Sequence, residues 1–529
     1  MSTNQPVPGA ATPDARQLRT ILISVSISLM AVVASVSGLN VAQTHMAVEF
    51  GASLGTVLWI INIYTLTLAA LLLPLGAIGD RLGRKPVLTA GLTLFGIANV
   101  VAALSPTAGV MISARLIGGI GAAMIMPITL AVITSTFPEQ RRAKAIGVWT
   151  AVAGGGGVLG MFLSAVLVDI ADWRWLFALP TALIVVALVT TAKSVPNSRE
   201  RSAHPFDTVG ALLSGFAVVG LIFVLQEGPE RGWTAPETLI GLAVGIVAGI
   251  GFVVWEPRRR DAALLDVRLF RERGLASGSL TLLVVFGVQA GIGVVLFPFF
   301  QAVLGWPGLV STAALMPMAI SMMLASGLAA KPAERLGSRA TMTTGVALAG
   351  AGLVVMGLSV SVEGGYLSIL PGLVAMGLGM GLSMTPSTEA ITGSLPRDKQ
   401  GVASALNDIT REFGTALGVA LLGALLSAGY RGSIDGKLSG VPQEAADVAR
   451  EGVANAVEVS ASTGSHAAQI VQAARESFVD GWRQAMWAGA AVMAVLSVYV
   501  AVRGPKNRTR SAADDAETDP GSHRLESAL

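Results

Sequence analysis

The ten residues Gly76-Ala77-Ile78-Gly79-Asp80-Arg81-Leu82-Gly83-Arg84-Lys85 decide how this chain is read. They form a short, charged, glycine-bearing bend between two apolar runs, 57–79 and 86–104. Each run has about the 20 residues needed to cross a ~30 Å hydrocarbon core. A weaker echo, Glu334-Arg335-Leu336-Gly337-Ser338-Arg339, stands 254 residues later between the runs 309–330 and 340–360. Two halves that share a hydropathy phase and a loop motif are the mark of a transporter built from repeats, with a substrate path at the interface of the repeats.

Working outward, similar runs lie at 20–43, 110–135, 145–168, 173–192, 209–225, 238–255, 277–299, 366–388, 401–428 and 483–502. The expected fold is an all-α integral membrane protein of fourteen transmembrane helices. The eight-span offset between the two motifs divides them 6 + 2 + 6, with spans 7 and 8 as an inserted pair. The expected segments are an N-terminal tail at 1–19, a six-helix bundle at 20–192, the inserted pair with its linkers at 193–273, a second bundle at 274–502 and a disordered tail at 503–529. The second bundle includes a long outer loop, 430–482, read as a two-helix cap or as an amphipathic helix on the lipid surface.

Composition agrees. Of 529 residues, 53% are apolar and 13% are charged, against roughly 25% charged in soluble domains. The chain has no Cys and four scattered His, which excludes thiol chemistry and argues against a metal centre. With the N-terminus inside, 27 of 36 Lys and Arg fall on the cytoplasmic side, so both termini are expected in the cytoplasm of a multi-pass cell-membrane protein. The cluster Arg258–Arg260 reads as a topology signal at the cytoplasmic leaflet and not as a nucleic-acid site. The chain has no P-loop motif for ATP and no catalytic constellation at a common depth, so neither a pump nor an enzyme is expected.

The chain resembles the fourteen-span drug:proton antiporter branch of the major facilitator superfamily. The resemblance rests on GAIGDRLGRK at Gly76–Lys85, on Arg115 with Gly119 and Gly121-Ala122-Ala123, and on Trp173-Arg174-Trp175-Leu176-Phe177. It also rests on LLDVRLF at 264–270, on Phe300-Gln301, and on Ala405-Leu406-Asn407 with Arg411 and Gly414. It implies multidrug efflux by proton antiport: no cofactor, a proton gradient as energy source, and a monomer exchanging a small apolar or amphipathic substrate for protons. Gly76, Asp80, Arg81, Gly83, Arg84 and Lys85 then form a conformational latch, with Asp80 near the N-terminus of span 13 at about Gly401. Arg84 and the bases after span 4 are expected to complete a charge network there. A plain positive-inside loop explains the bases but not Asp80. The other reading of the whole chain is export of one native metabolite or lipid, without obligatory proton coupling.

Departures from the family pattern redirect the search for the proton site. Ser35 stands where the first span usually carries an Asp, Gly118 replaces a Gln, and the span 5 motif becomes Gly160-Met161-Phe162-Leu163-Ser164-Ala165. Asp408 and Glu412 replace residues usually uncharged. An intramembrane charge costs about 2.5–3.5 kcal/mol even on the lenient insertion scale, so each is a functional candidate. Asp408, Arg411 and Glu412 share a helix face at i, i+3, i+4 and read either as a proton site or as a self-neutralised structural triad. Arg115, at the depth of Ser35, either tunes that site or ties helices together. It needs carbonyls, Asn40, Gln43, Asn62 or another carboxylate as partner. Glu389 is a third acid, or one that snorkels to the cytoplasm. Asn40, Asn62, Tyr64, Trp149, Phe162, Gln289, Phe300, Gln301, Met380 and Met384 are the candidate cavity residues, each weighed against ordinary bundle core.

Overall fold

A computed structural model describes residues 14–39, 42–198, 205–259 and 262–505. These are nearly all helical, with no strand among them. Thirteen of the helices are long and apolar enough to cross a membrane. Spans 1 to 6 are built on Ala15–Gly38, Leu54–Leu82, Arg84–Ala103, Ala108–Thr136, Glu139–Ile170 and Ala178–Ser194. The inserted spans 7 and 8 are Thr208–Arg231 and Pro236–Arg259. Spans 9 to 14 are Arg273–Pro298, Gly308–Ala313 running on into Met316–Leu328, Ser338–Ser359, Leu370–Gly393, Gln400–Ile434 and Ala467–Arg503. Span 12, Leu370–Gly393, is the helix outside the thirteen. It carries Ser383, Thr385, Ser387, Thr388 and Thr392, all buried, and packs against spans 9, 10 and 11. Protein surrounds it on several sides, so it is less dependent on lipid-compatible side chains.

Local sequence sets where the helices begin and end. Asp14 opens span 1 with a capping box to Gln17, and Ser53 and Thr107 cap spans 2 and 4. Each supplies an acceptor to the otherwise orphaned first N–H groups. Span 2 stops at Gly83, with φ 110°, and the helix after span 10 stops at Gly337, with φ 87°. Both lie in a region side chains disfavour. The two motif copies therefore share one backbone bend, which gives the internal repeat a structural basis.

Packing follows the same repeat. Span 2 packs on span 13, and span 5 packs on span 10. An offset of eight spans exchanges these pairs, as a pseudo-twofold axis between two bundles requires. The inserted span 7 packs on both span 2 and span 13. It buries Val218 and Ile222 with Leu66, Ala69 and Ala416, so it covers the seam between the two partners.

The side away from the bends at Gly83 and Gly337 differs in detail from the sequence reading. A short helix, Gln43–Phe50, follows span 1. Spans 13 and 14 continue to Ile434 and from Ala467, beyond the ends read from hydropathy. Residues 467–482, read from the sequence as part of the long loop, thus belong to span 14. Between them lie helices Gln443–Glu451 and Val453–Ser460, anchored by the bond from Tyr430 Oη to the Ala449 carbonyl, 2.7 Å.

Candidate functional site

The C-terminal end of span 2 meets the N-terminus of span 13 across the two halves. A Cβ on either Gly76 or Gly401 would collide with the backbone carbonyl of the other, so only glycine lets the helices approach this closely. That approach brings Asp80 to the first N–H groups of span 13. Its Oδ1 and Oδ2 accept from Gly401 N at 2.9 and 2.8 Å, and Oδ2 accepts from Val402 N at 3.3 Å. A carboxylate here satisfies orphan donors and complements the positive end of the helix dipole.

The bases divide the remaining work. Arg84 pairs with Asp80 Oδ1 at 2.9 Å, the residues being 1% and 5% exposed, and donates to Ser198 Oγ at 3.3 Å. Arg81 donates to the Pro205 carbonyl at 3.1 Å and covers the Phe206 ring. Lys85 donates to the Ala192 carbonyl at 2.7 Å. Of the bases after span 4, Arg142 donates to the Phe137 carbonyl at 3.5 Å. With Glu139, Glu334, Glu389 and Arg397 it lines a cavity of about 800 Å³. The bond at Asp80 is made by Arg84.

Inside the first bundle, Arg115 is 3% exposed. Its Nη1 donates to Ser35 Oγ at 3.2 Å, and Ser35 in turn donates to Asn99 Oδ1 at 3.4 Å. The guanidinium lies 4.0 Å from the centre of the Tyr64 ring. Where the family pattern supplies a carboxylate, this chain supplies a hydroxyl, an amide and an aromatic face. Of the partners expected for Arg115, Asn40 lies outside the described residues. Asn99, which accepts from Ser35 and was not among the expected residues, was visible in the sequence as an amide within span 3.

Span 13 carries the second charged group. Asp408 is fully buried. Its Oδ1 accepts from Asn407 Nδ2 at 3.2 Å and faces Arg411 Nη1 at 3.6 Å, while Oδ2 has no hydrogen-bond partner. Arg411 reaches across to the Ala153 carbonyl of span 5 at 3.2 Å. Its guanidinium lies 4.3 Å from the Phe286 ring centre and 5.5 Å from that of Trp149. Glu412 lies within electrostatic reach of Arg411, Asp408 and Tyr64. Tyr64 is also within reach of Arg115, and its buried hydroxyl has no partner. Arg115 and Glu412 therefore both face Tyr64, and Arg411 and Asp408 stand within reach of Glu412.

The other candidates scatter. Trp149 donates to Thr129 Oγ1 at 3.0 Å and serves Arg411 as a ring face. Met384 and Met322 meet span 5 beside Gly154, and Met380 is fully buried. Gln289 has its Nε2 4.0 Å from Met322 Sδ and its Oε1 without a partner. Asn62 and Phe162 are half-buried. Phe300 belongs to an aromatic cluster at the end of span 9, stacked on Trp306 at 5.7 Å and close to Phe299 and Tyr366; Gln301 beside it is exposed.

Comparison with known proteins gives a consistent result. The sequence profile of the Major Facilitator Superfamily matches residues 25–419. The multidrug efflux pump LfrA of Mycolicibacterium smegmatis is 31% identical over 89% of this chain and 92% of its own length. The methyl viologen resistance protein SmvA of Salmonella typhimurium is 31% identical over 91% of this chain and 97% of its own. Among solved structures, the proton:xylose symporter XylE superposes with a TM-score of 0.58 at 14% identity, covering 93% of this chain and 97% of that one. That likeness is one of fold.

Proposed function

Because the chain belongs to the Major Facilitator Superfamily, we propose that it is a secondary transporter of the cell membrane that exports apolar or amphipathic small molecules in exchange for protons. Multidrug efflux is the activity named for LfrA, and methyl viologen resistance for SmvA. In this reading both termini are cytoplasmic, the bundles are 20–192 and 274–502 of a fourteen-span monomer, and no cofactor takes part.

Asp408 and Glu412 carry the proton. The observation behind this is that Asp408 Oδ2 is buried and unpartnered while Oδ1 faces Arg411. A proton arriving from outside binds an acid of span 13, weakens its hold on Arg411 and leaves the centre with one excess positive charge. Releasing that proton to the cytoplasm requires the cytoplasmic side to open, and hence Asp80 to leave Gly401. The same helix bears both events, since Asp408 lies seven residues beyond Gly401, about 10 Å along span 13. Proton binding and latch release then bias one rigid element. Arg115 and Arg411 set the field at the acids, while Met384, Met322, Trp149 and Tyr64 border the substrate path. Movement of one charge through 100 mV supplies about 2.3 kcal/mol, so the charge moved per cycle fixes how far substrate is concentrated.

The test is transport by the purified chain in proteoliposomes with an imposed pH gradient. Uphill movement of an apolar substrate that collapses with the gradient supports antiport. Substrate movement indifferent to the gradient refutes it and favours an uncoupled exporter of one metabolite or lipid.

A further inference from the structure

A second pair of buried carboxyl groups lies at the cytoplasmic end of the inserted helices. Asp207, 2% exposed, caps span 7, and Glu256, 0% exposed, ends span 8. Asp207 Oδ1 accepts from Gly210 N and from Trp255 Nε1, both at 3.0 Å, with Arg259 Nε 4.0 Å away. Glu256 Oε2 accepts from Leu265 N at 3.2 Å. In each carboxyl group the other oxygen, Asp207 Oδ2 or Glu256 Oε1, is buried with no hydrogen-bond partner. These two oxygens converge. Each lies under 3.0 Å from a single point, the position a Cβ on Gly210 would take, so they are at most about 6 Å apart.

Two carboxylates confined in so small a dry space repel strongly, and two orphaned acceptors add a desolvation cost. Among the described residues, the charged groups facing the pair are Arg259 from span 8 and Lys399 from the turn before span 13. Lys399 donates to the Ala263 carbonyl at 2.9 Å. Asp266, in the next segment, is paired with Arg268. A single proton on the pair removes one charge, and gives both atoms a partner once the two oxygens close to hydrogen-bond distance.

The pair is also fastened to both sides of the contact between Asp80 and Gly401. Arg81, next to Asp80, holds the carbonyl of Pro205 and the ring of Phe206, immediately before Asp207. Lys399, two residues before Gly401, holds Ala263, two residues before the Leu265 amide that binds Glu256. We propose that Asp207 and Glu256 form a proton-binding pair, a carboxyl group bonded to a carboxylate, that holds its proton while the cytoplasmic side is closed. Loss of that proton to the cytoplasm leaves two like charges, which push the ends of spans 7 and 8 apart and loosen both attachments. The inserted helices thereby make closure sensitive to cytoplasmic pH. Only this last link rests on the latch reading.

Two measurements on the full chain in lipid test the proposal, and neither uses transport. The first is an infrared pH titration. The wild type should show a carbonyl band from a protonated, buried carboxyl group that is lost in both Asp207→Asn and Glu256→Gln. Asn can still cap span 7, and the Gln amide can donate where the proton sat, so both variants should fold. The second uses the absence of native Cys: probes on Arg141→Cys and Leu336→Cys report the cytoplasmic separation of the halves. In the wild type the open-to-closed ratio should rise with pH, by up to about tenfold per pH unit for one linked proton. Glu256→Gln should flatten that rise. A band absent from the wild type, or retained in both variants, overturns the proton pair. A pH response equal in Glu256→Gln and wild type overturns its link to closure.

Discussion

Replacing Asp80 by Asn tests the latch, and its effect can be sized from the contacts. In the closed state the carboxylate accepts from two N–H groups of span 13, Gly401 and Val402, in bonds of 2.8–3.3 Å. The Arg84 pair lies within the same turn of chain, at i and i+4, and survives opening, so it does not contribute to the difference. Hydrogen bonds to a charged group are worth about 1.5–3 kcal/mol each net, and a neutral one about 0.5–1.5 kcal/mol. Asn keeps one neutral acceptor and turns a donor toward the other N–H. The closed state should therefore lose roughly 2–4 kcal/mol relative to the open one. At 1.4 kcal/mol per tenfold, that raises the open-to-closed ratio about 30- to 700-fold. Double-label distance measurements at Arg141→Cys and Leu336→Cys read that ratio directly in the cysteine-free chain. Turnover should fall steeply, while substrate affinity of the solubilised protein changes little, because Asp80 touches no part of the proposed path. A change in the ratio of less than about threefold, well short of the figure derived above, would show that this contact does not hold the halves together.

Asp408→Asn or Glu412→Gln should abolish concentrative export in proteoliposomes while leaving downhill exchange. If both variants still concentrate substrate under a pH gradient, the proton is carried elsewhere. Ser35→Ala removes one acceptor from Arg115 and should cost about 1–3 kcal/mol of stability, read as lowered thermal midpoint, yet leave the stoichiometry of proton-driven export unchanged; a changed stoichiometry would return the coupling site to span 1. In the short helix Gln43–Phe50, hydrogen bonds from Trp173 and then Arg174 hold the Glu49 carboxylate below the usual range. A lowered value means the contact stabilises the fold above the ordinary carboxylate range and is lost as pH falls through the lowered one. The fluorescence difference between wild type and Trp173→Phe should therefore change only under acid conditions, and a change near neutral pH would contradict the assignment.

The sequence by itself determined the solvent, the spans and the repeat. Lipid demands about 20 apolar residues per crossing and tolerates little else, so the runs could be read one at a time. The bends at Gly83 and Gly337 were legible because a helix stop needs only local chemistry. Asp80 against Gly401 could be expected from the family pattern, although the two lie 321 residues apart. Tertiary structure decided what the charges do. Arg115 found Ser35 and Tyr64 on two other spans, with Asn99 of a third accepting from Ser35, and Arg411 crossed to Ala153, Trp149 and Phe286. Phe300 turned to its aromatic neighbours. Asp207 and Glu256, 49 residues apart and each unremarked in its own segment, met beside Gly210. Hydropathy and periodicity report how one segment meets its solvent. Which buried polar groups satisfy one another depends on crossing angles and depths set by all the helices together, and no single segment encodes those.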